Sequence, residues 1–317
     1  MYNEGGPKLK AVMIENYGGI DELKYTEIDK PSLKDNDVLI EIAATSVNPV
    51  DWKIREGYLK GMLQYDFPFV LGLDAAGTIK EVGKKVTKFR VGDKVFTRPD
   101  ITRNGTYAEY VAVDENLVAK KPENLSFEEA ASIPLVGLTS WQSLFDFADI
   151  KQGDKVLIHA GSGGVGSFAI QLAKSLGAWV ATTCSTKNVE FVKSLGADKV
   201  IDYRNEDFRQ VLADMDIVFD TLGGDIQKQS YDVLKEEGVL VSIADQPNQQ
   251  LAQTKKVKAG FVFLEPDGEQ LAEIGEMIEQ GKIRANVGTV MNLEEIQEAH
   301  RLSETHHAKG KIVLRVR

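Results

Sequence analysis

The stretch Lys155 to Lys174, KVLIHAGSGGVGSFAIQLAK, constrains the fold more than any other part of the chain. It reads as a short apolar strand from Lys155 to Ala160, a turn with four glycines, and an amphipathic helix. Gly161, Gly163 and Gly166 satisfy G-x-G-x-x-G, the dinucleotide-binding fingerprint. The turn off the strand must be tight, the backbone must approach a pyrophosphate without Cβ atoms, and the helix must pack close to the sheet. Ser162, Gly164 and Val165 complete the turn, and the helix N-terminus offers N–H groups and partial positive charge to phosphates.

The residues after Lys174 repeat the strand–helix rhythm. Ala178 to Cys184, Lys199 to Tyr203, Asp216 to Asp220 and Gly238 to Ile243 are apolar strands, with Gly260 to Phe263 a further candidate. Helical patterns lie at Lys187 to Leu195 and near Glu206 to Leu212. Alternation of this kind predicts an α/β fold with a doubly wound parallel sheet, its ligand outside the carboxyl ends of the strands.

The first third differs. Leu9 to Glu15, Val38 to Ser46, Asp74 to Val82, Lys94 to Thr97 and Tyr107 to Val113 read as strands separated by Gly and Pro, as in a small, mostly antiparallel β domain. Helical patterning begins near Ser126 to Ala131, and Leu135 to Phe147 reads as one longer helix. The tail, helical from Leu293 to Ser303 and then alternating from Gly310 to Val316, returns to the first domain. The expected division is therefore a β domain over 1–126 completed by 264–317, with the nucleotide-binding domain over 127–263 inserted. Met1 to Lys8 reads as a loose polar tail.

A net charge of −10 argues against a nucleic-acid partner. Residues 156–173 carry no charge, but four glycines and a histidine in a strand–turn–helix pattern argue against a membrane span. No secretory signal pattern opens the chain. The single cysteine, Cys184, excludes an intrachain disulfide and fits a cytoplasmic protein. It reads as a packing residue at a strand end rather than a redox sensor.

Several segments together resemble the medium-chain dehydrogenase/reductase superfamily, in its zinc-independent NADPH:quinone oxidoreductase branch. They are the run from Gly153 through Gly166 to Ala173, Asn48-Pro49-Val50-Asp51, Gly72 to Gly77, Val91 to Val95 and Gly310 to Leu314. The resemblance implies a GroES-like β-barrel domain plus a Rossmann domain, an active site in the cleft between them, and a homodimer formed through the nucleotide domain. Zinc-dependent members carry Cys and His where this chain has Asn48 and Leu73, and the four-cysteine lobe of many members is missing. The paired His306 and His307 read as surface or cleft-lining groups, with His300 on the preceding helix, so no metal is expected. Without a Lewis acid a saturated ketone is hard to polarise, whereas a quinone or an α,β-unsaturated carbonyl delocalises the charge that hydride addition creates. The expected activity is hydride transfer from NADPH to a quinone, enone or enal. The alternative is a non-catalytic NADPH-binding redox sensor or scaffold.

NAD-specific folds place a carboxylate about 20 residues past the glycines. Here that position is Thr183-Cys-Ser-Thr-Lys187, with no carboxylate before Glu190. Ser185, Lys187 and Tyr203 are therefore candidates for a 2′-phosphate, with Arg204 in reach. In some relatives the lysine stands one place later, where this chain has Asn188. By the same resemblance Asn48 lines the nicotinamide and substrate cleft, its amide a donor to a substrate oxygen or a group that positions the cofactor ribose. Asp51 reads from cap chemistry as a brace for the helix at Trp52 to Arg55. Thr139, Leu222, Gly223, Gly224, Ser242 to Ala244 and Phe261 to Phe263 frame the nicotinamide side, Phe263 among them as apolar wall. Relatives carry a tyrosine eleven residues after the asparagine. Leu59 occupies that place here, leaving Tyr58, Tyr65 or water as the proton donor. Asp74, where the family has Glu, reads as structural.

Overall fold

The structure, a computed structural model, describes residues 8–317. The expected polar tail lies outside these residues except for Lys8, which opens the first strand. The strands are β1 Lys8–Ile14, β2 Lys24–Asp29, β3 Asp37–Val47, β4 Phe69–Val70, β5 Ala75–Val82, β6 Lys94–Thr97, β7 Tyr110–Asp114, β8 Val118–Lys120, β9 Lys155–Ile158, β10 Trp179–Cys184, β11 Lys199–Asp202, β12 Met215–Asp220, β13 Leu234–Ser242, β14 Lys258–Phe261, β15 Val287–Asn292 and β16 Lys311–Arg315. The helices are α1 Pro49–Arg55, α2 Phe127–Ala131, α3 Pro134–Trp141, α4 Gly164–Ser175, α5 Val189–Ser194, α6 Phe208–Val211, α7 Gly224–Ser230, α8 Gln249–Lys255, α9 Gly268–Glu279 and α10 Ile296–Glu304. Two compact units result. One comprises the residues up to Leu135 with Pro266–Glu279 and Ala285–Arg317, and the other Val136–Glu265 with Gln280–Arg284.

The first unit is built on β3. This long strand is antiparallel to β5, β7 and β16, in a sheet ordered β15-β16-β3-β5-β6-β8. Leu314 opposite Thr45 fixes the C-terminal strand on it. Inward positions of β3 and its neighbours, Val38, Ile40, Ile42, Ile79, Val95 and Val111, form one core. A three-stranded sheet, β2-β1-β4, covers a second core that includes Ile14, Leu23, Tyr107 and Ile296. The strands β2 and β15 were not expected, whereas β16, which pairs parallel with β15, is the strand expected from Gly310 to Val316; β2 carries three charges in six residues, and its apolar alternation is weak.

The second unit is a six-stranded parallel sheet ordered β11-β10-β9-β12-β13-β14. The chain starts in the middle, at β9, steps outward to β11, then crosses to β12 and steps outward the other way. The strand order reverses between β9 and β12, which is where an open parallel sheet of this kind leaves a crevice at its carboxyl edge. The helix expected from Leu135 to Phe147 is present and runs without interruption from Pro134 to Phe147, but its second half changes type. After α3 the backbone widens into a π-helical stretch, Gln142–Phe147, marked by the Ala148 N–H donating to Ser143 O. The rings of Trp141 and Phe145, 4.5 Å between centroids and tilted 39°, and the seat of Phe147 against Gly260 occupy this wider turn.

Candidate functional site

The glycine turn between β9 and α4 divides its labour. A Cβ on Gly161 would come 2.1 Å from Thr182 Oγ1, and one on Gly166 2.2 Å from Ala160 O. Those two glycines are demanded by the protein's own packing of turn against strand. Gly163 is different, because a Cβ there would meet only Ala160 O at 3.4 Å. It caps α4 without a side-chain hydrogen bond, and Ser162, Gly163, Gly164 and Val165 are all half-buried. The first-turn N–H groups of a helix lack intrahelical acceptors. This cradle, open at Gly163 and lined by N–H donors, fits a dinucleotide pyrophosphate.

The strand ends that flank the turn are braced by buried polar groups. Ser230 Oγ donates to Ile226 O, so His159 Nε2 must carry the proton it gives to Ser230, at 2.9 Å, and Nδ1 faces Thr183 Oγ1 at 3.2 Å. Burial pushes this imidazole down to about 4. Thr183 Oγ1 in turn accepts the Ala160 N–H, tying β10 to a residue of positive φ at the start of the turn. His159 was not singled out from the sequence; its place inside the fingerprint run was the only signal.

Beyond β10 the structure sets Ser185 and Asn188 buried, Lys187 exposed, and Tyr203 57% exposed at the end of β11. Asn188 Nδ2 donates to Ser162 Oγ at 3.1 Å and to Ser185 Oγ at 3.2 Å, joining this loop to the glycine turn. Thr186 is turned elsewhere, donating to Asp202 at 2.7 Å. That hydroxyl bond, the Arg204 N–H and the Asn205 amide hold the Asp202 carboxyl below its usual range. Cys184 is buried, and burial raises its thiol to about 11, so little reactive thiolate forms there.

At the end of β12, Asp220 gathers four donors: the N–H groups of Leu222 and Gly223, Gln227 Nε2 and Ser242 Oγ at 2.7 Å. The Ser242 hydroxyl is thus committed to shaping the loop. Gly223 adopts φ +72°, and a Cβ on it would fall 2.2 Å from Asp245 Oδ2, so the turn into α7 requires glycine. Leu222 and Phe263 are exposed apolar groups, and Thr139 is buried in α3. The structure thus brings the glycine turn, Ser162 and Ser185 together through Asn188, and Leu222, Gly223 and Ser242 together through Asp220.

In the first unit, Asn48 caps α1 and is 1% exposed. Its Nδ2 donates to Asp74 Oδ2 at 2.7 Å, and its Oδ1 accepts from the Lys311 ammonium. Lys311 also reaches Val47 O at 3.1 Å and Asp74 Oδ2 at 3.3 Å. Asp74 accepts further from Ser46 Oγ and the Leu135 N–H. The positions where zinc-dependent relatives carry Cys and His therefore hold an amide and a leucine, and the neighbouring Asp74 carboxylate is paired with an ammonium. This donor set does not fit zinc. No group of three or more His, Cys, Asp and Glu among the described residues is arranged to hold a metal.

Asp51 turns back from the third position of α1 to accept the Asn48 N–H at 2.8 Å, the bracing role expected of it. It also ends a buried chain of hydrogen bonds. Arg55 Nη1 lies 2.7 Å from His300 Nδ1, His300 Nε2 lies 3.2 Å from the Tyr107 hydroxyl, and Tyr107 donates to Asp51 Oδ2 at 2.6 Å. A guanidinium is always a donor, so His300 Nδ1 accepts and Nε2 carries the proton. The imidazole is neutral, pushed down to about 3 by burial and by the Arg55 charge. Asp51 Oδ1 is buried and meets no donor. Burial lifts this carboxyl to about 7, against the pull of Tyr107, the Asn48 N–H and Lys311, with Asp74 adding to the rise. Tyr107, His300 and Arg98, a buried guanidinium whose Nε lacks a partner, form a polar interior that no local sequence pattern marks. They come from distant segments, and only the fold joins them. Tyr58 is 68% exposed, its phenol raised by the Glu56 carboxylate, whereas Tyr65 commits its hydroxyl to Ile101 O at 3.0 Å.

Comparison with known proteins extends these features across the whole chain. Residues 34–123 match the family model described as alcohol dehydrogenase GroES-like domain, and residues 195–314 that described as zinc-binding dehydrogenase. The chain is 33% identical over 326 residues to the chloroplast envelope quinone oxidoreductase homolog of Arabidopsis thaliana, covering 98% of this chain and 99% of that protein. It is 35% identical over 319 residues to the NADPH-dependent alkenal/one oxidoreductase of Arabidopsis chloroplasts, covering 97% and 79%. The solved quinone oxidoreductase from Coxiella burnetii superposes with a TM-score of 0.90 at 38% identity, over 98% of this chain and all of that one. With its mostly antiparallel β unit, its six-stranded parallel sheet and its glycine turn, the chain belongs to the medium-chain dehydrogenase/reductase superfamily, in the quinone oxidoreductase branch.

Proposed function

We propose that this protein is a zinc-independent, NADPH-dependent reductase of quinones or α,β-unsaturated carbonyls. The observation that carries the cofactor preference is the loop after β10. It offers the Ser185 hydroxyl and the Lys187 ammonium, with no carboxylate on it before Glu190. A 2′-phosphate needs donors and positive charge, while a carboxylate there would favour a 2′-hydroxyl. On this reading the turn from Gly161 to Gly166 cradles the pyrophosphate. Ser185, Lys187 and Tyr203 receive the phosphate, and Thr139, Leu222, Gly223 and Phe263 border the nicotinamide half. Ser242 holds the Asp220 loop in shape. Bound NADPH supplies the hydride. Tyr58 is the candidate phenol to protonate the reduced product, its neighbour Glu56 keeping it in the acid form. Asn48 keeps one amide proton for a substrate oxygen. The relatives named for quinone and alkenal/one reduction support the substrate class.

The same proposal includes a homodimer in the cytoplasm. Among the described residues no helix is long and apolar enough to cross a membrane. The test is NADPH oxidation across a panel of quinones, enones and enals, run beside a binding titration. Turnover with at least one class, at a kcat/KM well above that with NADH, is expected. Binding without turnover on any member of the panel would sink the catalytic reading.

A further inference from the structure

Asn188 is buried, and its side-chain partners among the described residues are two serines 26 and 3 residues away, one in the glycine turn and one at the end of β10. The hydrogen-bond arithmetic of this triangle is restrictive. A serine hydroxyl has one proton to give and two lone pairs to receive. Both Ser162 Oγ and Ser185 Oγ receive from Asn188 Nδ2, and neither hydroxyl proton is spent on an acceptor among the described residues. Each serine is thereby left as a donor. The other polar groups of this loop are directed differently: Thr186 spends its proton on Asp202, whose carboxylate also receives the Arg204 N–H and the Asn205 amide. The two serine protons are therefore unspent, and both belong to residues fixed in place by one amide.

We propose that Asn188 is a specificity-determining positioning residue, which orients Ser162 and Ser185 as paired donors to the phosphate on the adenosine ribose and so sets the preference for NADPH over NADH. The inference rests on the NADPH reading and adds to it a residue that touches no cofactor atom. A dianionic phosphate gains from each charge-assisted donor, whereas a ribose hydroxyl gains little, so the amide acts on one cofactor and spares the other.

The experiment is fluorescence titration of the full-length protein with NADPH and with NADH, as wild type, Asn188→Ala, Ser162→Ala/Ser185→Ala, and the triple variant. Asn188→Ala should weaken NADPH about ten-fold, the loss of one oriented charge-assisted bond, with NADH changed less than about two-fold. In the serine-free background the same substitution should leave the NADPH-to-NADH affinity ratio unchanged, because its partners are gone. Equal weakening of both cofactors would show a merely structural strut and overturn the proposal. So would a ratio loss that persists without the serines. If Asn188→Ala does not fold, Asn188→Ser serves as the shorter polar replacement with the same expected loss of ratio. A wild type that binds NADH as tightly as NADPH would remove the cofactor reading itself, an outcome visible before any variant is made.

Discussion

The carboxyl of Asp51 offers the sharpest quantitative test of the buried polar chain. Its Oδ2 accepts from Tyr107 and from the Asn48 N–H, while Oδ1 is buried without a donor. Asparagine at this position copies the neutral acid in shape and keeps an acceptor for both donors. The native carboxyl is lifted from 3.8 to about 7 by burial, a rise of about three pH units, or about 4 kcal/mol at 1.36 kcal/mol per unit. The sign follows from linkage. Between pH 3.8 and about 7 the folded state binds the proton and the unfolded state does not, so this group's stabilisation is complete below pH 3.8 and is lost as pH rises to about 7. His300 works in the opposite direction. Its native value near 3 lies below 6.5, so it adds stability as pH rises through that window. His159 does likewise, with a native value near 4. The difference between wild type and Asp51→Asn cancels both histidines. Urea unfolding should be followed through Trp52 fluorescence in a Trp141→Phe/Trp179→Phe background, which leaves that helix as the only reporter. Asp51→Asn should gain on wild type by about 4 kcal/mol between pH 4 and pH 8, and no further above that. Tyr107→Phe, which removes a bond that favours the charged form, should move the window to higher pH. A difference curve flat to within about 0.5 kcal/mol over this range would refute the argument from burial.

Other variants probe the remaining features. Gly163→Ala should leave the melting temperature nearly unchanged yet weaken NADPH at least ten-fold by titration, since only a ligand needs that space, on the order of the 1.4 kcal/mol per decade scale. Gly161→Ala and Gly166→Ala should instead lower the melting temperature, because their Cβ atoms collide with Thr182 and Ala160. Lys311→Met leaves Asp74 buried with its charge unpaired and should cost about 3–5 kcal/mol in chemical denaturation; a change below about 1 kcal/mol would mean the pair is not what holds this node. Lys187→Ala should raise the Kd for NADPH about ten-fold at low salt and little at high salt, with NADH unmoved, as expected of an exposed ammonium. Tyr58→Phe should lower kcat without raising KM; full activity would remove the phenol from the mechanism.

What could be read from residues alone was what physical chemistry writes locally. The strand–glycine–helix run at Lys155 to Lys174 needs its neighbours only for confirmation, because turn geometry, backbone approach and helix packing each demand glycine within six residues. The parallel strands of the second unit announce themselves through short apolar runs, such as Val156–Ile158 in β9, Ile217–Phe219 in β12 and Val239–Val241 at the end of β13. Features that depend on tertiary partners were silent. β15 is an edge strand whose alternation resembles that of a loop, and α9 owes its amphipathic face to packing on β8 and the turn that precedes it. The change of the Leu135 to Phe147 helix from α to π type coincides with the tilted Trp141–Phe145 ring pair and with Phe147 seated against Gly260, more than a hundred residues on. The same division runs through the candidate site. Ser185 and Lys187 are found by counting from the glycines, but Asn188 reads from sequence as the place where a lysine is missing. Only the fold shows its amide spanning two loops. Likewise Asp51 reads as a helix brace, and the structure bears this out, yet its proton affinity is decided by Tyr107, His300 and Lys311, contributed by segments as far as 260 residues away. A residue's type and spacing announce which bonds it can form. Which of those bonds are already spent inside the protein, and so which donors are left for a ligand, is a property of the assembled network.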